Sequence, residues 1–351
     1  METKAPALAL ISTGMITAIG ANTTMSAAAV NAGISSQTES HYFNKRNKPI
    51  RLASIPEGAL DPLDNNLDPA VEKCSENHWY LVRIAAQALR ECLECFTPND
   101  PVPVFLACPE VLPNTSNRVR PSFLKHLQIQ SKANIDLTNS KLTYTGRAGG
   151  LEMIELAFKF LDATGRDFVL VGGVDSYRYC LQQLSILDSE DRLLVYGSGD
   201  GFIPGDAGGF LLLASPTAVQ KYQLSPLLNI ACPACDHEPG HRYSEEPYRG
   251  DGLAAAFRKA LANAPGAQID AVYSSMNGES LASKELGVAM VRNAQRFVPN
   301  TPIKHPADCF GDIGAAFGPV LLGLMSKTKA CSSLAYCSAD GPYRSAVVAW
   351  K

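Results

Sequence analysis

The sequence has little of what marks a chain for nucleic acid, membrane or disulfide chemistry. Its 351 residues carry 31 Lys plus Arg against 34 Asp plus Glu, a formal net charge of −3 with neutral His. No basic excess is present to neutralise phosphates, and no charge block suits an anionic membrane surface. No apolar run approaches the roughly 18 residues that a spanning helix needs. No G-x-x-x-x-G-K-[ST] occurs, and the Gly-rich stretch Gly197–Gly209 runs into a strand rather than a helix, which argues against phosphate binding. Charged residues make up only 19%, against 46% hydrophobic, and this excludes a disordered chain. The ten cysteines show no disulfide-framework spacing. In a chain this long they read mainly as reduced, buried small hydrophobes of a cytoplasmic protein.

What is present is an alternation of short apolar runs and helical periods. Lys4 before the run Ala5–Ile11, with Ala27–Ala29 beyond, loosely resembles a signal peptide. Ser12, Thr13 and Gly14 break that run, so a buried first strand entering a Gly turn explains it better. Further strands are expected at Val102–Ala107, Phe168–Val171, Phe210–Leu213, Leu227–Ile230, Ala271–Ser274, Leu334–Tyr336 and Ala346–Trp350. Several are apolar throughout, as in sheets covered on both faces. Trp79–Cys95, Gly149–Leu161, Leu253–Ala262, Glu285–Asn293 and Gly314–Met325 carry helical periodicity. The order repeats after Ala214–Tyr222. The chain therefore reads as two α/β halves, 1–222 and 223–351, in one integrated fold. The polar segments Asn44–Asn77 and Pro109–Thr138 are expected to be long surface excursions.

Four stretches share one resemblance. Ser198–Leu213 (SGDGFIPGDAGGFLLL) closely resembles the "DGFVxGEGA" turn of β-ketoacyl synthases, members of the thiolase-like superfamily. Leu8–Gly20 (LALISTGMITAIG) resembles that family's first strand and its "ITGxGxxxxxG" turn. Phe168–Ser176 (FVLVGGVDS) resembles "VMVAGGAES", and Lys304 followed by Gly311–Ala316 (GDIGAA) resembles the "K…G-H/N-x-GAA" region. The four stand in register over nearly the whole chain. They imply a five-layer αβαβα sandwich of two pseudo-twofold βαβαβαββ halves, usually a homodimer.

The resemblance also implies a catalytic site, and here the residues depart from it. Family catalysis uses a Cys at a buried helix N-terminus, whose thiolate accepts an acyl group. A His-His or His-Asn pair assists decarboxylation and holds the oxyanion. Thr145–Glu152 (TGRAGGLE) matches "T-A-C-A-x-G-L" with Arg147 where the cysteine belongs, and a guanidinium is not a nucleophile. Ser275–Ser280 (SMNGES) resembles "xAHGTxT" with Asn277 at the His. Asp312 takes the last position, where a carboxylate would repel an oxyanion. The "GFGGxN" loop is reduced to Ser338-Ala339-Asp340-Gly341-Pro342. No catalytic residue is expected. A buried Arg147–Asp312 ion pair and two separately solvated charges are both compatible with these positions.

Three rival sites compete. Cys232, Cys235, His237 and His241 give C-x2-C-x-H-x3-H, a zinc donor set, but packed more closely than a zinc finger's two pairs. They read as an exposed loop, so no metal is expected. Cys92 and Cys95 lie within one helix and read as packing. Cys309, four residues from His305, is the best substitute nucleophile, though it lacks an evident activating helix end.

The leading expectation is a catalytically inactive β-ketoacyl-synthase-like protein without cofactor. It would act by protein binding, as scaffold, adaptor or heteromeric partner. Related triad-less chains associated with bacterial secretion and effector loading make that role one member of the set. Two alternatives stay open: an atypical acyltransferase on CoA or acyl-carrier-protein thioesters, and a non-covalent acyl-ligand or CoA binder.

Overall fold

A computed structural model of the protein describes residues 7–113, 115–195, 199–264, 266 and 268–351. Lys4 and the start of the Gly-rich turn, Gly197 and Ser198, lie outside the described residues. The strands are β1 (Ala7–Thr17), β2 (Thr38–Phe43), β3 (Pro49–Leu52), β4 (Val104–Ala107), β5 (Lys141–Thr143), β6 (Phe168–Asp175), β7 (Ala207–Ala214), β8 (Leu228–Ala231), β9 (Ala234–His237), β10 (Ala271–Ser274), β11 (Ile303–Lys304), β12 (Ser332–Ser338) and β13 (Tyr343–Trp350). The helices are α1 (Thr23–Asn31), α2 (Pro69–Glu72), α3 (Glu76–Glu94), α4 (Phe123–Ser131), α5 (Gly149–Thr164), α6 (Leu181–Ser189), α7 (Pro216–Lys221), α8 (Asp251–Ala262), α9 (Ser280–Arg292), α10 (Ala307–Phe310) and α11 (Phe317–Ser326).

Every residue of β4, β6 and β7 is buried, so these runs needed no alternation. The first half-sheet has the order β5-β4-β6-β7-β1 and the second β11-β10-β12-β13-β8. Within each, the first three strands pair in parallel and the remaining pairs are antiparallel. The two halves thus repeat one topology, and they join edge to edge where Ala7–Leu10 pairs with Leu228–Ala231.

The layers follow from which faces are apolar. α5 and α11 contact strands of both half-sheets and form the middle layer. Their core holds Leu151, Ile154 and Leu321 against Val171 and Leu211 on one side and Ala335 and Val347 on the other. α3 covers the outer face of the first half-sheet through Leu81, Ile84 and Leu89, and α8 covers the second through Leu253 and Phe257. The result is the five-layer thiolase-like sandwich of two related α/β halves. No helix among the described residues is long and apolar enough to cross a membrane.

Two expectations need correction. The segments 44–77 and 109–138 are not only surface excursions. Ile50, Leu52 and Ile55 in the first are buried, and the second contains α4, whose Phe123 and Leu127 pack against α3. The cysteines are also less buried than expected: Cys92, Cys108, Cys309 and Cys337 are, whereas Cys95 and Cys331 are exposed and the rest lie in between. Cys92 packs on β1, its thiol 3.7 Å from Ser12 Oγ.

Candidate functional site

Arg147, Asn277 and Asp312 come from three separate loops and meet. Arg147 sits on the single 3-10 turn Gly146–Ala148 that leads into α5. Gly146 opens the turn at φ +58°, and a Cβ there would lie 2.6 Å from the Glu110 carboxylate, so only glycine fits. Arg147 is 6% exposed and Asp312 0%. The backbone of Asp312 is clamped by the glycine-rich turn ahead of β7. Its N–H donates to Ile203 O at 2.7 Å, and its carbonyl accepts from Gly205 N at 2.8 Å.

Arg147 Nε donates to Asp312 Oδ1 at 3.1 Å and Oδ2 at 3.0 Å, and Nη2 also reaches Oδ2. Asn277 Nδ2 donates to the same Oδ2 at 2.8 Å, and Gly314 N to Oδ1 at 2.9 Å. The buried ion pair is therefore present, rather than two solvated charges.

The pair belongs to a larger network. Arg147 Nη1 donates to Asp340 Oδ1 at 2.9 Å, in the turn between β12 and β13. Arg192, 2% exposed, holds Glu279 through Nε (2.8 Å) and Nη2 (2.9 Å), and Asp340 Oδ2 through Nη1 (2.7 Å). Arg242 Nη2 donates to Glu279 Oε1 at 2.7 Å. Phe202 lies beneath two of these cations, its ring centroid 5.8 Å from Arg147 Cζ and 5.2 Å from Arg192 Cζ. Three guanidiniums thus face three carboxylates, Asp312, Asp340 and Glu279.

Glu190 also reaches Arg192 Nη1, at 3.6 Å, and Glu110 is a further acid beside the network. The Glu110 oxygens accept from Asp340 N at 3.1 Å and Gly341 N at 2.8 Å. Burial, and then the nearby Asp340 charge, push its carboxyl up to about 7. Burial would also raise Asp340, but Arg147, Arg192 and Arg242 hold it well below the usual carboxylate range. The cavity beside the network, lined by Arg147, Asn277, Tyr248 and Tyr336 among others, is about 40 Å³. That is room for a water or two.

The remaining candidates lie elsewhere. Lys304 is exposed on the edge strand β11, where it pairs with Tyr273. Cys309 is buried in the four-residue α10, and burial followed by Asp308 raises its thiol. His305 Nδ1 contacts Ser274 Oγ at 3.3 Å instead. Cys232, Cys235, His237 and His241 do not converge. His237 packs against Tyr343, with ring centroids 5.2 Å apart, and His241 Nδ1 accepts from Tyr243 N at 3.3 Å. Arg192, Arg242 and Glu110 carry no sequence signal, because each lies in a loop without a motif.

No protein-family model matches the chain, and no curated protein matches its sequence. Solved structures do. The ishigamide ketosynthase/chain length factor superposes with a TM-score of 0.75 at 14% identity, covering 99% of each chain. The chain has the ketosynthase fold. A ketosynthase from module 6 of the Bacillus subtilis 168 bacillaene synthase gives a TM-score of 0.79 at 13% identity, over 98% of this chain and 72% of that one. A type II polyketide ketosynthase solved with its acyl-carrier protein gives 0.76 at 13%, over 99% of both chains. Within the ketosynthase fold, the Arg147 turn enters the middle-layer helix α5, and Asp312 precedes the other middle-layer helix, α11.

Proposed function

We propose that this protein is a catalytically inactive member of the ketosynthase-fold group that acts by binding other proteins. In this reading Arg147, Asn277 and Asp312 occupy the nucleophile position and the two assisting positions of the condensing enzymes. The observation that carries it is the Arg147–Asp312 pair. Where an acyl-transfer site would hold a thiolate beneath a set of free hydrogen-bond donors, this chain holds a guanidinium whose donors are already spent on carboxylates. The cavity of about 40 Å³ beside it is far below the roughly 300 Å³ of a small-ligand site, which disfavours an acyl or CoA ligand there.

The binding role is that of a scaffold, adaptor or heteromeric partner in the bacterial cytoplasm, with effector loading for secretion among its forms. Homodimer formation, or pairing with a related active subunit, belongs to the same proposal, as does docking of an acyl-carrier protein. Incubation with labelled acyl-CoA followed by intact-mass measurement tests the core of it. An unchanged mass is expected, whereas a stoichiometric covalent acyl adduct overturns the reading. Pull-down from the native host, with solution mass at several concentrations, then identifies the partner and the assembly.

A further inference from the structure

A second cluster lies apart from the arginine network, where α2, α3 and α4 meet. Cys74, His78 and His126 each place one ligand atom, the thiol sulfur or a ring nitrogen, within 4.8 Å of the other two. Around a tetrahedral zinc the ligand atoms stand roughly 3.5 Å apart, given Zn–N of about 2.0 Å and Zn–S of about 2.3 Å. Both imidazoles are 0% exposed, while Cys74 is half-buried and leaves a way in from solvent. His78 is in the first turn of α3, and Cys74 directly precedes Ser75, which caps that helix.

The hydrogen bonds available to the two rings do not satisfy them. His78 Nε2 and His126 Nδ1 share one contact at 3.0 Å. His78 Nδ1 receives only a long 3.4 Å contact from Arg120 N. His126 Nε2 is buried without a hydrogen-bond partner among the described residues, with Glu72 Oε2 3.5 Å away. Four ring nitrogens in the interior thus have one good hydrogen bond between them. Buried polar groups are normally satisfied, and where they are not, a bound ion can supply the missing partner.

We infer that Cys74, His78 and His126 form a zinc site. A thiolate and two imidazoles are the borderline-soft set that selects Zn²⁺ over Mg²⁺ or Ca²⁺. Glu72 lies on the outer nitrogen of His126, the place of the carboxylate that orients a metal-bound imidazole. A water completes the coordination. On binding, the Cys74 thiol releases one proton to solvent. Each neutral imidazole keeps its one proton on the ring nitrogen that faces away from the metal and offers the lone pair of the other.

The test uses the full chain after chelator treatment, titrated with Zn²⁺ against a chromophoric chelator and separately with Co²⁺. One equivalent of Zn²⁺ should bind, and Co²⁺ should give a thiolate-to-metal charge-transfer band in the near ultraviolet. Cys74→Ala should abolish that band and weaken Zn²⁺ binding by more than 100-fold. Glu72→Gln should keep the band and weaken binding about 10–100-fold. A Cys232→Ser/Cys235→Ser variant should bind as the native chain does. The inference fails if the folded native chain binds no stoichiometric Zn²⁺. It also fails if binding survives Cys74→Ala and is lost with Cys232 and Cys235.

Discussion

Arg147 Nε donates to both carboxylate oxygens of Asp312, a residue 165 positions away, at 3.1 and 3.0 Å in the interior of the protein. The pair joins the two halves of the fold at the point where their middle helices begin. Its charges are desolvated, so its parts are expected to be unequal. Arg147→Met leaves Asp312 and Asp340 with one cation fewer and should cost about 3–5 kcal/mol. Asp312→Asn should cost less, since Arg147 keeps Asp340. The double variant should be less destabilised than the sum of the two. Urea unfolding at pH 7 measures all three. Additive effects below about 1 kcal/mol would show the pair to be energetically idle.

In the proposed reading, Arg147→Cys puts a thiol at the nucleophile position of the condensing enzymes. The surroundings remain wrong for it. Asp312 and Asp340 lose their shared cation and sit beside the new thiol, and two nearby carboxylates disfavour a thiolate. The variant should fold with lower stability and should not decarboxylate a malonyl thioester. Appearance of the acetyl product by mass spectrometry would mean the rest of the site is competent.

Much of this was legible in the sequence, and the exceptions share physical causes. The apolar runs announced β4, β6, β7, β10, β12 and β13, because strands buried on both faces have no polar alternation to confuse them. β2, β3, β5, β9 and β11 were not anticipated; the last four have 4, 3, 4 and 2 residues, too few to establish a period, and β2 is a polar strand with no buried residue. α4 was hidden because its Phe123, Leu124 and Leu127 stand in a polar stretch flanked by prolines and asparagines. At the site, glycine turns placed Arg147, Asn277 and Asp312. Arg192 and Arg242 could not be found that way, since a loop arginine has the same local signature whether it is solvated or buried against Glu279.

Gly314 shows how little latitude the site backbone has. It adopts φ +48°, and a Cβ there would lie 1.9 Å from Asp175 Oδ2. That oxygen accepts from Ala315 N at 3.1 Å, while Oδ1 of the same carboxylate is held by Arg118 Nη2 at 2.9 Å, so Asp175 cannot swing away without breaking a buried pair. Gly314→Ala should therefore destabilise by at least about 2–3 kcal/mol, beyond a simple left-handed penalty. Thermal unfolding measures it, and a Tm within a degree of the native value would contradict the close approach.

The cysteines order themselves by access. Cys95 and Cys331 are exposed, whereas burial raises the thiols of Cys92, Cys108, Cys309 and Cys337. Alkylation of the native protein at pH 7.5, followed by peptide mapping, should label Cys95 and Cys331 first and the four buried thiols only on unfolding. Rapid labelling of Cys309 would restore it as a nucleophile candidate.

Glu110 should write itself into the pH dependence of stability. Its folded pKa, about 7, lies above the ordinary carboxyl value of 4.5, so the folded state holds this proton more tightly than the unfolded chain does. The contribution is therefore fully present below about pH 4.5 and is lost as pH rises through about 7, where the carboxylate must ionise beside Asp340. Asp340 has the opposite sign. Its folded pKa is depressed by the surrounding arginines, so its stabilisation is present above the ordinary carboxyl value and falls only in acid. Stability is thus expected to decline from about pH 4.5 to about pH 7 and to level off above that. Glu110→Gln should flatten that decline while lowering overall stability, because its amide cannot accept from both Asp340 N and Gly341 N. Urea midpoints at pH 5.5, 7 and 8.5 for the two proteins give the comparison, and identical slopes would assign the titration to another group.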